Sequence, residues 1–155
     1  TNSKCILFPT TKAKAEEIYT KYKHDLLKGL KWVENNSHIS GKGYVIINAK
    51  DAVSDSIIGT ILSIISFSFL YESGTILIGM AYQGEGKIKV SSRIVGRESS
   101  TINLQKLMDN AASAVGGESG GHAKAAGCVI SRDKEEEFMH NIEKDAETEQ
   151  IKIKV

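Results

Sequence analysis

The chain has 155 residues, of which 41% are hydrophobic and 25% charged, with a formal net charge of +1. That balance suits one folded domain with its own core and excludes a disordered chain, while a net charge so near zero excludes bulk attraction to nucleic acid, so any phosphate site must be local. Two cysteines, Cys5 and Cys128, lie far apart without CxxC spacing, which excludes a disulfide framework and fits a reducing, cytoplasmic setting.

Residues 1–11 read as a linker remnant, with one short apolar run from Cys5 to Phe8 closed by Pro9. The chain opens on Thr1 rather than Met and shows no secretory signal, and the expectation is that an upstream portion has been cut away. From Lys12 to Glu34, Ala15, Ile18, Tyr22, Leu26, Leu30 and Val33 recur at helical spacing, so they share one face of a helix whose charged opposite face reads as solvated surface. Tyr44-Val45-Ile46-Ile47 reads as a strand buried on both faces. A cap at Ser54 or Asp55 opens an apolar stretch running to Tyr71. Too short and too interrupted for a membrane span, which needs about 20 residues, it reads as a core helix.

Thr75 to Tyr82 is a second buried strand, and Gln83-Gly84-Glu85-Gly86 turns the chain into Lys87–Ile94. There, alternation places Lys87, Lys89, Ser91 and Arg93 opposite Ile88, Val90 and Ile94, on a wetted face. Ile102 to Val115 has helical spacing and stops at Gly116-Gly117. A glycine-rich loop then reaches Gly127, and Cys128 to Ile130 forms a short strand. Asp133 and Glu136 have capping-box spacing ahead of a helix carrying Phe138, Met139 and Ile142, and Ile151 to Val155 alternates as a closing strand. The predicted fold class is α/β, a single domain over residues 12–155 with a mixed sheet of about five strands and helices on both faces.

Chemistry concentrates between Gly116 and Gly127. Glycines let backbone N–H groups approach an anion closely, and a helical turn over Ala123–Ala126 would aim further N–H groups at it, beside the His122 side chain. Read from spacing alone, the segment is equally a flexible loop, since it matches neither GxGxxG nor GxxxxGK[ST]. His24, His38 and His140 stand isolated and read as surface residues, and Cys128 reads as a small core residue.

The run Gly120-Gly121-His122-Ala123-Lys124-Ala125-Ala126-Gly127 resembles the signature of the DHH-associated domain of DHH-family phosphodiesterases. The segments Lys28 to Glu34, Asp55 to Thr60, Ile78 to Tyr82 and Lys89 to Arg93 extend the likeness to the C-terminal half of archaeal RecJ-like single-strand-specific exonucleases. Ser119 departs from it, standing where many relatives carry another glycine. The resemblance implies that His122, the Gly120 and Gly121 amides and Arg93 contact a substrate phosphate, with Ser91, Ser92 and Ser119 beside them. Arg93 suits that role because a planar guanidinium holds two phosphate oxygens at once.

It also implies that catalysis resides elsewhere. The family's Asp-His-His motif is missing from this chain, so Mn or Mg is expected in a separate N-terminal DHH domain and no cofactor in this chain. Expected partners are single-stranded DNA or RNA, the chain's own DHH domain across a closing cleft, and a replisome protein; no membrane is expected. Two alternatives share the resemblance: an accessory domain for oligonucleotide or cyclic-dinucleotide hydrolysis, and a non-catalytic replisome or tRNA-synthetase-type interaction module.

Overall fold

The computed structural model describes residues 9–96 and 101–154. In chain order the elements are α1 (Pro9–Asn35), β1 (Ile39–Gly41), β2 (Tyr44–Lys50), α2 (Ile58–Ser66), β3 (Ile76–Gln83), β4 (Lys87–Ile94), α3 (Leu104–Ser113), β5 (Glu118–His122), β6 (Ala125–Ser131) and α4 (Glu135–Lys154). The strands form one six-stranded sheet ordered β1-β2-β3-β4-β6-β5. Its β2–β3 pair is parallel and the other pairs are antiparallel. The predicted α/β class, with helices on both faces, is the class observed.

Strand alternation divides the apolar residues between two cores. Tyr44, Ile46, Ile78, Met80, Ile88, Val90, Cys128 and Ile130 pack against α3 and α4, where Phe138 is fully buried. Val45, Ile47, Leu77 and Ala81 pack on the other face against α2 and the C-terminal part of α1. The two-sided burial explains why β2 and β3 read as unbroken apolar runs. Among the described residues, none from β5 or β6 joins this second core. Helix α2 therefore lies over β3 and β4 and leaves the β6–β5 part of this face open.

Four expectations need correction. Helix α2 stops at Ser66 instead of running to Tyr71. Serine hydroxyls compete for its last carbonyls, Ser66 Oγ donating to Ser63 O at 2.7 Å and Ser68 Oγ to Ile65 O at 2.7 Å. The Ser40-Gly41-Lys42-Gly43 run, whose composition suggests a turn between elements, holds instead the end of an edge strand, β1 at Ile39–Gly41, joined to β2 by a tight turn at Lys42-Gly43. The glycine-rich segment after Gly117 is the hairpin β5–β6, and no helical turn forms at Ala123–Ala126. Residues 151–154 continue α4 instead of forming a strand. Their Ile-Lys alternation satisfies a period of two, but a helix already under way extends at little cost through good helix formers.

The expected helix around Phe138 is α4, entered through a 3-10 turn at Arg132–Lys134, with Glu135, Glu136 and Glu137 where carboxylates complement the helix dipole. Helix α1 spans the predicted 12–34 but begins at Pro9, inside the segment read as linker, and only its C-terminal part is covered: Val33 is buried, while Ile18 and Tyr22 on the same stripe are exposed. Residues 1–8, with the Cys5–Phe8 run, lie outside the described residues, as does Val155. Among the described residues no helix is long and apolar enough to cross a membrane.

Candidate functional site

The open part of the sheet is a pocket of about 620 Å³. Its floor follows from register, because residues directly paired across antiparallel strands project to the same side. Ser91 pairs with Gly127 and Gly127 with Gly120, giving one row. Lys89, Val129 and Glu118 give the next, and Arg93, Ala125 and His122 the third. The middle row is thus a serine beside two glycines, leaving a bare backbone floor flanked by charged side chains. Helix α2 supplies the wall through Gly59 and Thr60. A Cβ at Gly59 would stand 3.2 Å from Ser91 Oγ and 3.4 Å from Arg93 Nη2, so glycine is what lets α2 approach this strand.

Arg93 is held before any ligand arrives. Its Nε donates to Ser63 Oγ at 2.9 Å and its Nη1 to the Ser92 carbonyl at 2.7 Å, while the side chain lines the pocket. Burial draws its guanidinium below the usual arginine value, yet arginine keeps its charge at physiological pH. Among the described residues the ion pair present is Lys134–Glu137, on α4's approach. Arg93 is therefore bonded to neutral groups there, which separates it from a surface salt-bridge arginine.

Alternation sorts the other residues singled out in sequence. Ser91 is nearly buried at 7% exposure on the pocket floor. Ser92 faces the α3 core, fully buried, and its Oγ donates to Ala126 O at 2.8 Å. Ser119 also turns its side chain away, donating to Asp109 Oδ1 of α3 at 2.9 Å. Gly120 lines the pocket in open space, whereas Gly121 adopts φ +116 and a Cβ there would lie 2.5 Å from Ala125 O. Gly127 has a similar constraint, since a Cβ would collide with the Val90 carbonyl across the β4–β6 pair. Much of the glycine content thus serves close strand pairing. His122 is exposed at the hairpin tip, where Nδ1 accepts from Lys124 N at 3.4 Å, and is not among the pocket-lining residues.

Sequence reasoning missed Gly59, Thr60, Lys89 and Glu118 as pocket residues. For Lys89 the signal was present in the β4 alternation; for Glu118 it was hidden while the segment read as a loop. His24 and His140 are exposed, but His38 is half-buried, with Nε2 2.8 Å from Val33 O. Cys128 is buried, and desolvation pushes its thiol up to about 12. Among the described residues no three His, Cys, Asp or Glu side chains cluster so as to hold a metal ion.

A family model described as the DHHA1 domain matches residues 41–148. A search of curated proteins gives no match. Among solved structures, RecJ from Thermus thermophilus in complex with Mg²⁺ matches with a TM-score of 0.63 and 15% identity, over 88% of this chain and 20% of that one. The pGpG-specific phosphodiesterase PggH from Vibrio cholerae gives 0.55 and 16%, over 95% of this chain and 46% of that one. The C-Ala domain of Aquifex aeolicus alanyl-tRNA synthetase gives 0.54 and 12%, over 72% of this chain and 96% of that one. Identities this low establish a shared fold. The chain spans less than half the length of the RecJ and PggH structures.

Proposed function

Since the chain belongs to the DHHA1 domain family, we propose that it is the substrate-gripping domain of a RecJ-like exonuclease. It would hold a phosphate of single-stranded DNA or RNA while a separate DHH domain hydrolyses the phosphodiester bond. The observation that carries this reading is the Arg93 anchorage. A guanidinium already oriented by Ser63 and the Ser92 carbonyl loses little side-chain entropy on meeting an anion, and its fork geometry matches phosphate oxygens.

The remaining parts act by position. Gly120 and Gly127 keep the floor free of side chains, so a phosphate can approach the backbone. His122 stands beyond Ala125, in place to meet an adjoining oxygen of the strand. In this reading the water-activating Mn or Mg would be held by the separate DHH domain. The isolated chain should bind single strands without turnover. Fluorescence anisotropy with a labelled single-stranded oligonucleotide tests this: alanine at Arg93 or His122 should weaken binding, and unchanged affinity in both variants would remove the assignment.

One observation favours a second substrate class. A pocket of about 620 Å³ lies within the range typical of small-ligand sites, which suits an oligonucleotide or cyclic dinucleotide as well as one link of a longer strand. Competition between a dinucleotide and a long single strand separates the two. Equal affinity per molecule favours the short substrate.

A further inference from the structure

The pocket carries its charge unevenly. Along β4, Lys89, Ser91 and Arg93 alternate onto its face of the sheet, and along β5, Glu118, Gly120 and His122 do the same. The β4 side therefore holds two cations, while the β5 side holds a carboxylate opposite Lys89, with Val129 between them. Lys89 and Glu118 both line the pocket. Their backbone positions are two strand spacings, about 10 Å, apart, and among the described residues neither side chain has an ion-pair partner. Lys89 is half-buried, as suits a lysine whose stem packs while its ammonium stays within reach of solvent.

Spacing decides what the two cations can hold. Lys89 and Arg93 are four residues apart on β4, about 13 Å between backbone positions, and the nearly buried Ser91 lies between them. One phosphate cannot bridge that gap. Neighbouring phosphates of one strand, separated by a sugar, can, because the four-carbon lysine stem is flexible and its three donors turn toward any oxyanion. Arg93 is fixed by Ser63 and the Ser92 carbonyl, so the lysine makes the adjustment. Across the floor, Glu118 repels a phosphate, which leaves the β4 side as the lane for a polyanion.

We propose that Lys89 is a second phosphate subsite, so that a single strand lies lengthwise along β4 with one phosphate at Arg93 and its neighbour at Lys89, and Glu118 keeps the strand off β5. The proposal rests on reading the pocket as a phosphate site. It sets the smallest well-held ligand at two neighbouring phosphates. It also makes the second contact one of charge, where the first depends on fork geometry.

The test uses the 155-residue chain and two labelled hexathymidylates whose linkages are neutral methylphosphonates except at the centre. One probe keeps a single charged phosphodiester, the other two adjacent ones. By anisotropy, the parent should bind the two-charge probe about tenfold more tightly, the effect of one further charge-assisted contact. Lys89→Ala and Lys89→Gln should lose that advantage, Lys89→Arg should keep it, and Arg93→Ala should weaken both probes. Glu118→Gln should tighten the two-charge probe about two- to fivefold, the scale of an exposed charge. A parent that binds both probes alike, or lysine variants that keep the full advantage, would overturn the subsite. So would equal weakening of both probes in the lysine variants, which would make Lys89 a structural residue only. Unchanged or weaker binding by Glu118→Gln would overturn the lane along β4. If Arg93→Ala weakens both probes while the lysine variants match the parent, the subsite falls and the phosphate site stands. If the parent binds neither probe, both fall.

Discussion

Ala125 of β6 pairs with Arg93 on one side and with His122 on the other, so the two side chains leave the same face of the sheet from backbone positions two strand spacings, about 10 Å, apart. The next row contains paired glycines, Gly127 and Gly120. Two groups able to donate to an anion thus flank a strip of bare backbone, placed by strand register alone.

Arg93 carries two duties, and its variants should separate them. Hydrogen bonds to a charged group contribute about 1.5–3 kcal/mol, so Arg93→Ala should weaken single-strand binding about ten- to a hundredfold by anisotropy. Loss of its bonds to Ser63 and the Ser92 carbonyl should also lower the melting temperature by a few degrees, about 2–8 °C. Arg93→Lys should retain part of the affinity, since the charge remains and the fork does not. His122→Ala, altering an exposed side chain, should weaken binding with stability changed by no more than about 0.5 kcal/mol.

Gly120 and Gly127 pair with each other but should respond oppositely to alanine. A methyl at Gly120 enters open space on the pocket face, while one at Gly127 strikes the Val90 carbonyl. Gly120→Ala should melt like the parent and bind oligonucleotide more weakly. Gly127→Ala should lose about 1–3 kcal/mol of stability from backbone overpacking, measured by urea unfolding.

The Cys128 thiol supplies a pH prediction. With its value pushed up to about 12 in the folded chain against 9.0 for the free group, folding favours the protonated form. The unfolded chain releases that proton first, so this contribution is complete below about pH 9 and declines as pH rises toward 12. In a Cys5→Ser background, a thiol reagent at about pH 8, below the ordinary thiol range, should label Cys128 only on unfolding. Rapid labelling of the native chain would contradict the burial.

Salt dependence distinguishes a local grip from a broad basic surface. With two or three phosphates neutralised, the slope of log affinity against log salt should be about −1.4 to −2.1, at about −0.7 per phosphate for single strands. Arg93→Ala should make it shallower by about one phosphate's worth. A much steeper slope would point to a larger contact surface than this pocket.

The sequence made the centre of the sheet legible because burial and period agree there: β2 and β3 read as apolar runs, and β4 as an alternation with Arg93 on its wetted side. It concealed β5 because glycine is a poor strand former, and the Gly120–Gly127 pairing appears only once a partner strand is in place. The closing helix was hidden for the converse reason, a period-two pattern on a segment whose upstream neighbours already fix it as helix. Within the site, sequence named Arg93, Ser91 and Gly120, but chain order gives no hint that α2 lends Gly59 and Thr60 as a wall. Ser92 and Ser119 could be assigned to the α3 side only after register fixed which way each side chain turns.

The central claim is that an oxyanion of a single strand sits on the glycine floor beside Arg93, and backbone and guanidinium NMR resonances observe that place directly. Titration of a short single-stranded oligonucleotide should shift the Gly120 and Gly127 amides and the Arg93 Nε–H resonance together, with one common affinity. Shifts confined to α4 and the α3 face, with those three signals unmoved at saturation, would contradict it.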